Sequence, residues 1–561
     1  MEKTVIYQIF TRLFGQEKKA NRPHGTIAEN GCGKFNHITT RALEAIAELG
    51  VTHIWFTGVI EHASLTQYEE LPAETDSPDV VKGRAGSPYA IRDYYDVSPD
   101  LAESVPQRLF EFRQLIDRTH RAAMKAIIDF VPNHVARRYH SDVNPAHVAD
   151  FGATDRTDCA FSPQNNFYYF PSDTFSPQFP LTSYHEQPAR ATGNDCFSPS
   201  PSTNDWYDTV KLNYGVDYLG DGTLHDDPLS DTWLKMRAVL LYWAEFGIDG
   251  FRCDMAEMVH VSFWRWVIGE IRQHFPSILF IAEIYQPSYY GAYLDAGFDF
   301  LYDKVGFYDT LRAVICHQTP AAQITCCWQQ VGEMQSKMLY FLENHDEQRI
   351  ASSFFAGNSE AARPALAVAA LLNTNPVMIY AGQELGERGM DAEGFSGCDG
   401  RTSIFDYWGV DTLCRWYNSG KYDRTLLSVN EKKLRQFYAS VLSLARSEKA
   451  FTQGHFFDLM YCNNPPHINP QCQYAFLRAC GDDVMLVIAH FSDERGYVRL
   501  HFPQHAFDCL NMHPKALCCA VDLLSGERFS TAFTTGDFFE THLEPHSARV
   551  FKICGDGEIL K

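Results

Sequence analysis

Two charged residues at the end of an apolar run, Arg252 and Asp254, have the types and spacing that acid–base chemistry needs. Side chains two positions apart on a strand point to the same side, so these two are expected to face one space. A charged pair at the end of a buried strand is unfavourable unless it is paired or takes part in a reaction. The pair therefore predicts either a structural salt bridge or a nucleophile, Asp254, which Arg252 orients and keeps ionised by lowering its pKa.

Three other apolar segments are also followed by polar residues. These residues are Asp129, Asn133 and His134, then Glu283, and then Glu343, Asn344, His345 and Asp346. In a parallel β/α barrel the reacting residues lie at the carboxyl ends of the strands, so four such ends would meet at one mouth. Like charges held close together disfavour each other's ionised form, and such clusters concentrate at functional sites. The pattern predicts an active site in which Asp254, Glu283 and Asp346 carry the chemistry.

The elements that must position these residues alternate between strands and amphipathic helices, which is the pattern of parallel β/α units. Strands are predicted at 5–10, 51–56, 126–130, within 247–254, and at 278–283, 298–302, 338–342 and 376–380. Helices are predicted at 39–49, 105–122, 261–274 and 431–448, with a further helix capped by Asp231. Eight strands are the number that closes a (β/α)8 TIM barrel, so we predict an α/β fold of that type.

Two segments depart from this alternation. Residues 135–229 are rich in Asn, Asp, Ser, Pro and Tyr and have no sustained helical period, which predicts an inserted subdomain after the third strand. Residues 450–561 show strand-like alternation and frequent turns, which predicts a C-terminal antiparallel β-sandwich. The barrel would then comprise residues 1–134 and 230–449. The loop at 57–103 is too long for a simple connection and is a candidate functional loop.

The composition restricts the partners of the chain. A net charge of −22 argues against nucleic acid and anionic membranes, although it does not bear on a neutral sugar. No stretch approaches the ~18 apolar residues that span a bilayer, and the N-terminus lacks the features of a signal peptide. The 16 cysteines form no C-x-x-C pair, so the sequence supports no zinc or redox motif. We therefore expect a cytoplasmic protein with reduced thiols and no membrane partner.

Four segments that carry these polar residues resemble the signature regions of the α-amylase family of glycoside hydrolases. They are Asp-Phe-Val-Pro-Asn-His at 129–134, Gly-Phe-Arg-Cys-Asp at 250–254, Ile-Ala-Glu at 281–283 and Phe-Leu-Glu-Asn-His-Asp at 341–346. Each segment is short, but the four occur in the family's order and at its spacing. The resemblance extends from the first strand to the helix at 431–448, and the C-terminal β-domain also fits the family's plan.

The resemblance implies a role for each matched residue. Asp254 would be the nucleophile, Glu283 the general acid and then the base, and Asp346 would bind sugar hydroxyls and stabilise the transition state. The substrate-binding residues would be Arg252, which orients Asp254, with His134, His345, Tyr89 and Asp93 around the same sugar. Neighbouring strands lie ~4.8 Å apart, which suits the carboxyl separation of ~5–5.5 Å in a retaining glycosidase. The implied substrate is an α-1,4-linked oligosaccharide derived from starch or glycogen.

The chain departs from the family where a Lys-His pair usually follows the nucleophile. Glu257 and Met258 occupy those positions. In the family the pair helps to bind the leaving-group sugars, so Glu257 would face them here as a hydrogen-bond acceptor. The backbone of the second position also serves a calcium site, to which Asn133 would contribute. We therefore expect no required cofactor, and the sequence leaves a calcium site open at Asn133 with oxygens of the insert such as Asp155 or Asp158.

Several residues of the insert and of later loops allow two interpretations. The aromatic residues at 167–170 and 206–207 either line the cleft or form the core of the subdomain. The segment at 211–214 resembles a short family segment, and Asn213 is a candidate for the site. Residues 399–402 either shape the sugar pocket or form a solvated loop.

Two other functions remain open. A transglycosylase or isomerase of the same family, 4-α-glucanotransferase or trehalose-forming, would use the same site with another acceptor. A non-catalytic carbohydrate-binding protein is disfavoured because all three acids are present.

Overall fold

The protein, described by a computed structural model at residues 3–71, 76–146 and 148–555, is built on a closed barrel of eight parallel strands. Each strand pairs with the next one along the chain, and the eighth pairs with the first. The strands are Val5–Phe10, His53–Thr57, Lys125–Phe130, Gly250–Cys253, Leu279–Ala282, Phe300–Tyr302, Met338–Phe341 and Val377–Tyr380. The predicted (β/α)8 barrel is confirmed.

Helices connect the strands and cover the outside of the barrel. The α-helices among them with six residues or more are Thr40–Ala47, Arg108–Arg121, Asp231–Glu245, Val261–His274, Tyr290–Asp295, Asp309–Ile315, Ile324–Val331, Ala362–Leu371, Asp411–Tyr417 and Val429–Ser447. The last of these begins with a capping box in which Ser428 and Glu431 satisfy each other's backbone N–H groups. Asp231 was expected to cap its helix, but Ser230 is the cap and Asp231 lies in the first turn, 2.8 Å from Lys235.

Large side chains fill the barrel interior and leave it without a pore. Ile6, Trp55, Ile127, Ile281 and Leu339 belong to this interior cluster, and each is at most 2% exposed. Such side chains alternate along each strand with residues that face the surrounding helices. The interior layers therefore fix the strand ends rigidly, and the polar residues that follow those ends are held at the mouth.

Two long segments, the loop after the second strand and the insert after the third, lie above that mouth. The long loop after the second strand contains an antiparallel hairpin of Ile60–His62 and Ile91–Val97. The insert after the third strand pairs His134–Ala136 with Thr209–Lys211, and Tyr169–Phe170 with Ala189–Arg190. The first of these pairs ties the end of the insert back to the residues that leave the third strand.

The C-terminal region forms two antiparallel sheets. In spatial order, the six-stranded sheet contains His455–Asp458, Gln473–Cys480, Asp483–His490, Ser547–Gly555, Lys515–Asp522 and Arg528–Phe533. The two-stranded sheet pairs Gly496–His501 with Phe538–Leu543. Phe539 of the small sheet packs against Phe551 of the large one, with 4.9 Å between ring centroids. The helix Gln504–Leu510 interrupts the strands and was not expected from the alternation.

Among the described residues, every helix is either too short or too polar to pass through a lipid bilayer.

Candidate active site

The guanidinium of Arg252 lies at the barrel mouth and contacts the carboxyl groups of Asp254 and Glu283, with a third carboxyl, that of Asp129, 3.6 Å from its Nη1. Its Nη1 donates to Oδ1 of Asp254 at 2.6 Å, and its Nη2 lies 2.8 Å from Oε1 of Glu283. Strand pairing explains this arrangement, because Cys253 pairs with Ala282 and the next residue on each strand is one of the two acids. Arg252 is 1% exposed, so both ion pairs are shielded from water.

In the turn after the fourth strand, the backbone N–H of Met255 donates a hydrogen bond to Glu283. Met255 adopts a left-handed conformation with φ of 42°, which is unfavourable for a residue with a side chain, by about 1–3 kcal/mol. This conformation lets its N–H donate to Oε2 of Glu283 at 2.8 Å. The hydroxyl of Tyr285 donates to Oε1 of the same carboxyl at 2.7 Å. Glu283 is therefore fixed by the backbone of the neighbouring strand end, by a tyrosine and by Arg252.

Burial sets the protonation of the nucleophile candidate. It raises the pKa of Asp254 well above its ordinary value; Arg252 opposes the rise and the Glu283 carboxyl adds to it. Arg252 lowers the pKa of Asp254 as expected, but desolvation at the barrel mouth outweighs the ion pair, so the net pKa is raised and not lowered. Because the charge of the Glu283 carboxylate contributes to this rise, Asp254 ionises more easily while Glu283 is protonated.

Asp346 and His345 lie beside this pair at the end of the seventh strand. Nε2 of His345 is 3.0 Å from Oδ2 of Asp346, and Nδ1 of His345 is 2.8 Å from Nε2 of Gln8 on the first strand. Partial burial tends to raise the pKa of Asp346, but His345 lowers it, and the pKa of Asp346 lies below its ordinary value. The Asp346 side chain is 39% exposed, so an ionised oxygen faces the open space.

A cleft of about 340 Å³ opens above the three acids. The lining contains five residues expected from the sequence: Tyr89, His134, Asp254, Glu283 and Asp346. Trp206, one of the ambiguous aromatics, also lines it. The remaining lining residues were not anticipated; they are Lys82, Ser87, Asp208, Thr209, Met255, Tyr285, Ile404 and Phe405.

Aromatic and neutral groups form part of the cleft lining near Arg252. The ring of Tyr89 lies 5.5 Å from the guanidinium carbon of Arg252, and its hydroxyl contacts His345. The ring of His134 lies 5.1 Å from that of Trp206. Burial, followed by the charges of two nearby lysines, lowers the pKa of His134 to about 3. His134 is therefore a neutral imidazole at neutral pH, suited to hydrogen-bonding an uncharged hydroxyl.

Four expected substrate-binding residues do not line the cleft: Arg252 and His345, which are at most 2% exposed, and Asp93 and Glu257. The carboxylate of Asp93, 1% exposed, accepts from the backbone N–H of Tyr95 at 2.8 Å and of Asp142 at 3.1 Å. Oε2 of Glu257 accepts from two successive backbone N–H groups, those of Tyr285 and Gln286, each at 3.0 Å. Both carboxylates satisfy nearby backbone donors, so these two assignments are corrected.

The ambiguous residues of the insert divide between core and cleft. Phe167, Tyr168 and Tyr169 are buried and form the core of the subdomain. The ring of Tyr207 packs 4.8 Å from that of Phe179, whereas its neighbour Trp206 reaches the cleft.

The other polar candidates of the insert also have structural partners. Asn213 is fully buried and donates to the carbonyl of Ser162 at 2.9 Å, so it does not enter the site. Asp155 accepts from backbone N–H groups within the insert, and Asp158 pairs with Arg156 at the surface. Neither aspartate contacts Asn133.

A lysine–aspartate pair that the sequence analysis missed closes one side of the cleft. Nζ of Lys82, from the loop after the second strand, lies 3.0 Å from Oδ1 of Asp208 in the insert. Both residues lie in loops without regular spacing, so no sequence pattern places them together. Tyr285 could have been found, because it lies two residues after Glu283 at the same strand end.

Comparison with known proteins agrees with this geometry. The sequence model described as "Alpha amylase, catalytic domain" matches residues 8–412.

The chain belongs to the α-amylase family.

Among curated relatives of this family member, alpha-amylase MalA from Haloarcula japonica is 25% identical over 394 residues, covering 69% of this chain but only 45% of MalA. Neopullulanase 2 from Thermoactinomyces vulgaris is 22% identical over 538 residues, covering 91% of this chain and 73% of that protein. The crystal structure of the alpha-amylase from Geobacillus thermoleovorans, complexed with acarbose, matches with a TM-score of 0.64 at 18% identity, covering 99% of this chain and 98% of that one. At this identity the structural match establishes the fold. Curated relatives of the chain include α-amylases, a neopullulanase and cyclomaltodextrin glucanotransferases.

Proposed function

We propose that the protein hydrolyses α-1,4-glucosidic bonds of malto-oligosaccharides by double displacement with retention of configuration. The observation that carries the proposal is the pair of carboxyls, Asp254 and Glu283, held on two nitrogens of Arg252 at the ends of neighbouring strands. Adjacent parallel strands lie ~4.8 Å apart. That spacing supports a carboxyl separation of ~5–5.5 Å, at which one acid can attack the sugar carbon while the other protonates the leaving oxygen.

In the first step, an oxygen of Asp254 attacks the anomeric carbon while the glycosidic C–O bond breaks. Glu283 gives its proton to the departing oxygen, so the leaving sugar departs as a neutral alcohol. The sugar remains bound to Asp254 as an ester. Arg252 balances the charge that moves between the two carboxyls, since it contacts both. In the second step, Glu283 takes a proton from water, the resulting hydroxide adds to the anomeric carbon, and Asp254 leaves as a carboxylate.

The residues around the acids bind the sugar whose bond is cleaved. Asp346, with its lowered pKa and exposed oxygen, accepts hydrogen bonds from sugar hydroxyls. Tyr89 offers an aromatic face and His134 a neutral imidazole in the lining of the same cleft. We assign His345 to the same sugar through its contact with Asp346. The ionised carboxylate of Asp346 and the neutral imidazole of His134 suit a neutral sugar whose transition state is positively charged.

We expect a preference for short oligosaccharides over polymer. The cleft, about 340 Å³, lies at the lower end of the ~300–1,000 Å³ typical of ligand sites. Glu257 satisfies backbone N–H groups and so adds no donor for the leaving-group sugars. Binding energy from remote sugars is what lets an enzyme exploit a long substrate. Steady-state kinetics should therefore give a higher kcat/KM per molecule for maltotriose to maltoheptaose than for soluble starch.

The same assay examines the reaction type, if the products of maltoheptaose are separated by chromatography. Hydrolysis gives only shorter oligosaccharides from the first time point. Products longer than maltoheptaose would instead identify a transferase, since the glycosyl group would have passed to a sugar. A preference for soluble starch would contradict the size argument and would show that Trp206 and other residues of the insert bind further sugars.

We also propose that the protein works in the cytoplasm. Its substrates there would be imported oligosaccharides or products of glycogen breakdown. Burial raises the pKa of the Cys32 thiol to about 12 and that of Cys327 to about 11, so these thiols stay protonated and unreactive. Such buried thiols suit a reducing compartment.

A further inference from the structure

A buried lysine joins three segments of chain close to the active site. Lys211 ends a strand of the insert and is 2% exposed. Its ammonium lies 2.7 Å from Oδ1 of Asp195 in the insert and 3.2 Å from the backbone carbonyl of Met258, after the fourth strand. It also contacts Oδ1 of Asn133, after the third strand. An ammonium has three N–H donors, and here three oxygens surround it, so its hydrogen-bonding capacity is satisfied.

These oxygens have the chemistry of a calcium site. Ca²⁺ takes carboxylate, amide and backbone carbonyl oxygens as ligands, and the three partners of Lys211 provide one of each. Asn133 and the backbone at position 258 are also the two positions at which the family resemblance left a calcium site open. However, the centre of this set is taken by the ammonium. The residues present therefore do not fit a divalent cation, because the lysine fills the space and repels it.

We propose that Lys211 is a built-in cation that replaces calcium in this chain and positions the active-site segments without metal. Two of the three segments that it joins carry a residue of the cleft. Asn133 precedes His134, and Met258 lies four residues after Asp254. Glu257, next to Met258, holds the backbone of the loop that follows Glu283. The ammonium thus connects the strand ends that carry the nucleophile, the acid and the binding histidine.

The decisive variants change the charge at this position. Lys211→Met removes the ammonium at similar length, and Lys211→Asp replaces it with a fourth oxygen ligand. Lys211→Met should lower the Tm by roughly 5 °C or more, because Asp195 and two buried oxygens lose their cation. It should also lower kcat about tenfold or more at temperatures where it is folded, since a small misplacement of reacting groups has effects of up to ~100-fold.

The effect of calcium on the Tm of the wild type and of the variants shows whether Lys211 occupies a cation site or only packs against its neighbours. The Tm of the wild-type protein should not change in EDTA or in added calcium chloride, and calorimetry should detect no calcium binding at this site. The Lys211→Asp variant should have a low Tm in EDTA, and added calcium should raise that Tm and bind at one ion per chain. Calcium should not raise the Tm of Lys211→Met. The Tm and calorimetric measurements need no substrate. Their results therefore do not depend on whether the proposed hydrolysis is correct.

Lys235 provides a matched control. It is another buried lysine, whose Nζ donates to the carbonyl of Asp150 and to Oδ1 of Asn166 at 2.9 Å each, and it contacts none of the cleft-bearing segments joined by Lys211. Lys235→Met should lower the Tm but keep kcat within a few-fold and show no calcium response. The proposal is overturned if EDTA lowers the wild-type Tm and calcium restores it, if Lys211→Met matches the wild type in Tm and kcat, or if Lys211→Asp ignores calcium.

Discussion

Asp254→Asn should fold with an unchanged Tm and lose about 10⁴-fold or more in kcat on maltoheptaose, the scale expected when a covalent nucleophile is removed. The amide keeps the size of the side chain and can still accept from Arg252, so the barrel mouth has little reason to rearrange. It cannot form the ester with the sugar. Steady-state rates, measured together with circular dichroism and Tm, separate loss of chemistry from loss of fold.

Asp303→Asn is the matched control for this variant. Asp303 is also a buried aspartate directly after a barrel strand, 1% exposed, and its Oδ1 accepts from the backbone N–H of Phe307. It does not line the cleft, so its replacement should keep kcat within about tenfold even if the Tm falls. Activity of Asp254→Asn within tenfold of the wild type would exclude Asp254 as the nucleophile.

The Glu283→Gln variant should lose most activity on substrates whose leaving group must be protonated, and least on substrates whose leaving group departs without a proton. For maltotriose, where the departing oxygen must be protonated, kcat should fall by about 10²–10⁴-fold, the usual contribution of a general acid. For α-maltosyl fluoride, the fluoride ion leaves without a proton, so the first step should be largely preserved. The amide oxygen can still accept from the N–H of Met255, and the amide NH2 can donate to the hydroxyl oxygen of Tyr285, which keeps much of the local geometry.

Comparing maltotriose with α-maltosyl fluoride in the same Glu283→Gln variant provides an internal control for changes in binding and folding. A change in binding or folding would slow both substrates alike, whereas loss of the acid slows only the one that needs protonation. An equal loss on the fluoride and on maltotriose in the first, glycosylating step would show that Glu283 supports the site without transferring the proton. The glycosylation step is measured from the burst of released fluoride, because Glu283 also activates water in the second step.

The barrel and its three acids could be predicted from sequence because strand ends are fixed by short-range patterns. The apolar runs before Asp254, Glu283 and Asp346 define buried strands, and parallel pairing brings the residues that follow them to one mouth. The direction in which an individual side chain points is harder to predict from sequence. Glu257 and Asp93 lie near the site in sequence but bind backbone N–H groups, and no pattern reveals that competition.

The walls of the cleft could not be predicted, since they come from segments that are distant in sequence and lack periodicity. Lys82 and Asp208 are separated by most of the insert, and Phe405 approaches from the loop after the eighth strand. The same holds for Lys211, whose three oxygen partners come from three segments. The raised pKa of Asp254 was also missed, because burial at the mouth depends on those walls.

Retention of configuration is the most direct test of the account, since it follows from the adjacent placement of Asp254 and Glu283 and from the ester that Asp254 forms. Proton NMR can follow the anomeric signals during the first minutes of maltoheptaose hydrolysis at high enzyme concentration, before mutarotation mixes them. The account predicts that the α-anomer of the new reducing end appears first and the β-anomer only later. Initial release of the β-anomer would contradict it, because it would require a water molecule between the two carboxyls and no covalent intermediate on Asp254.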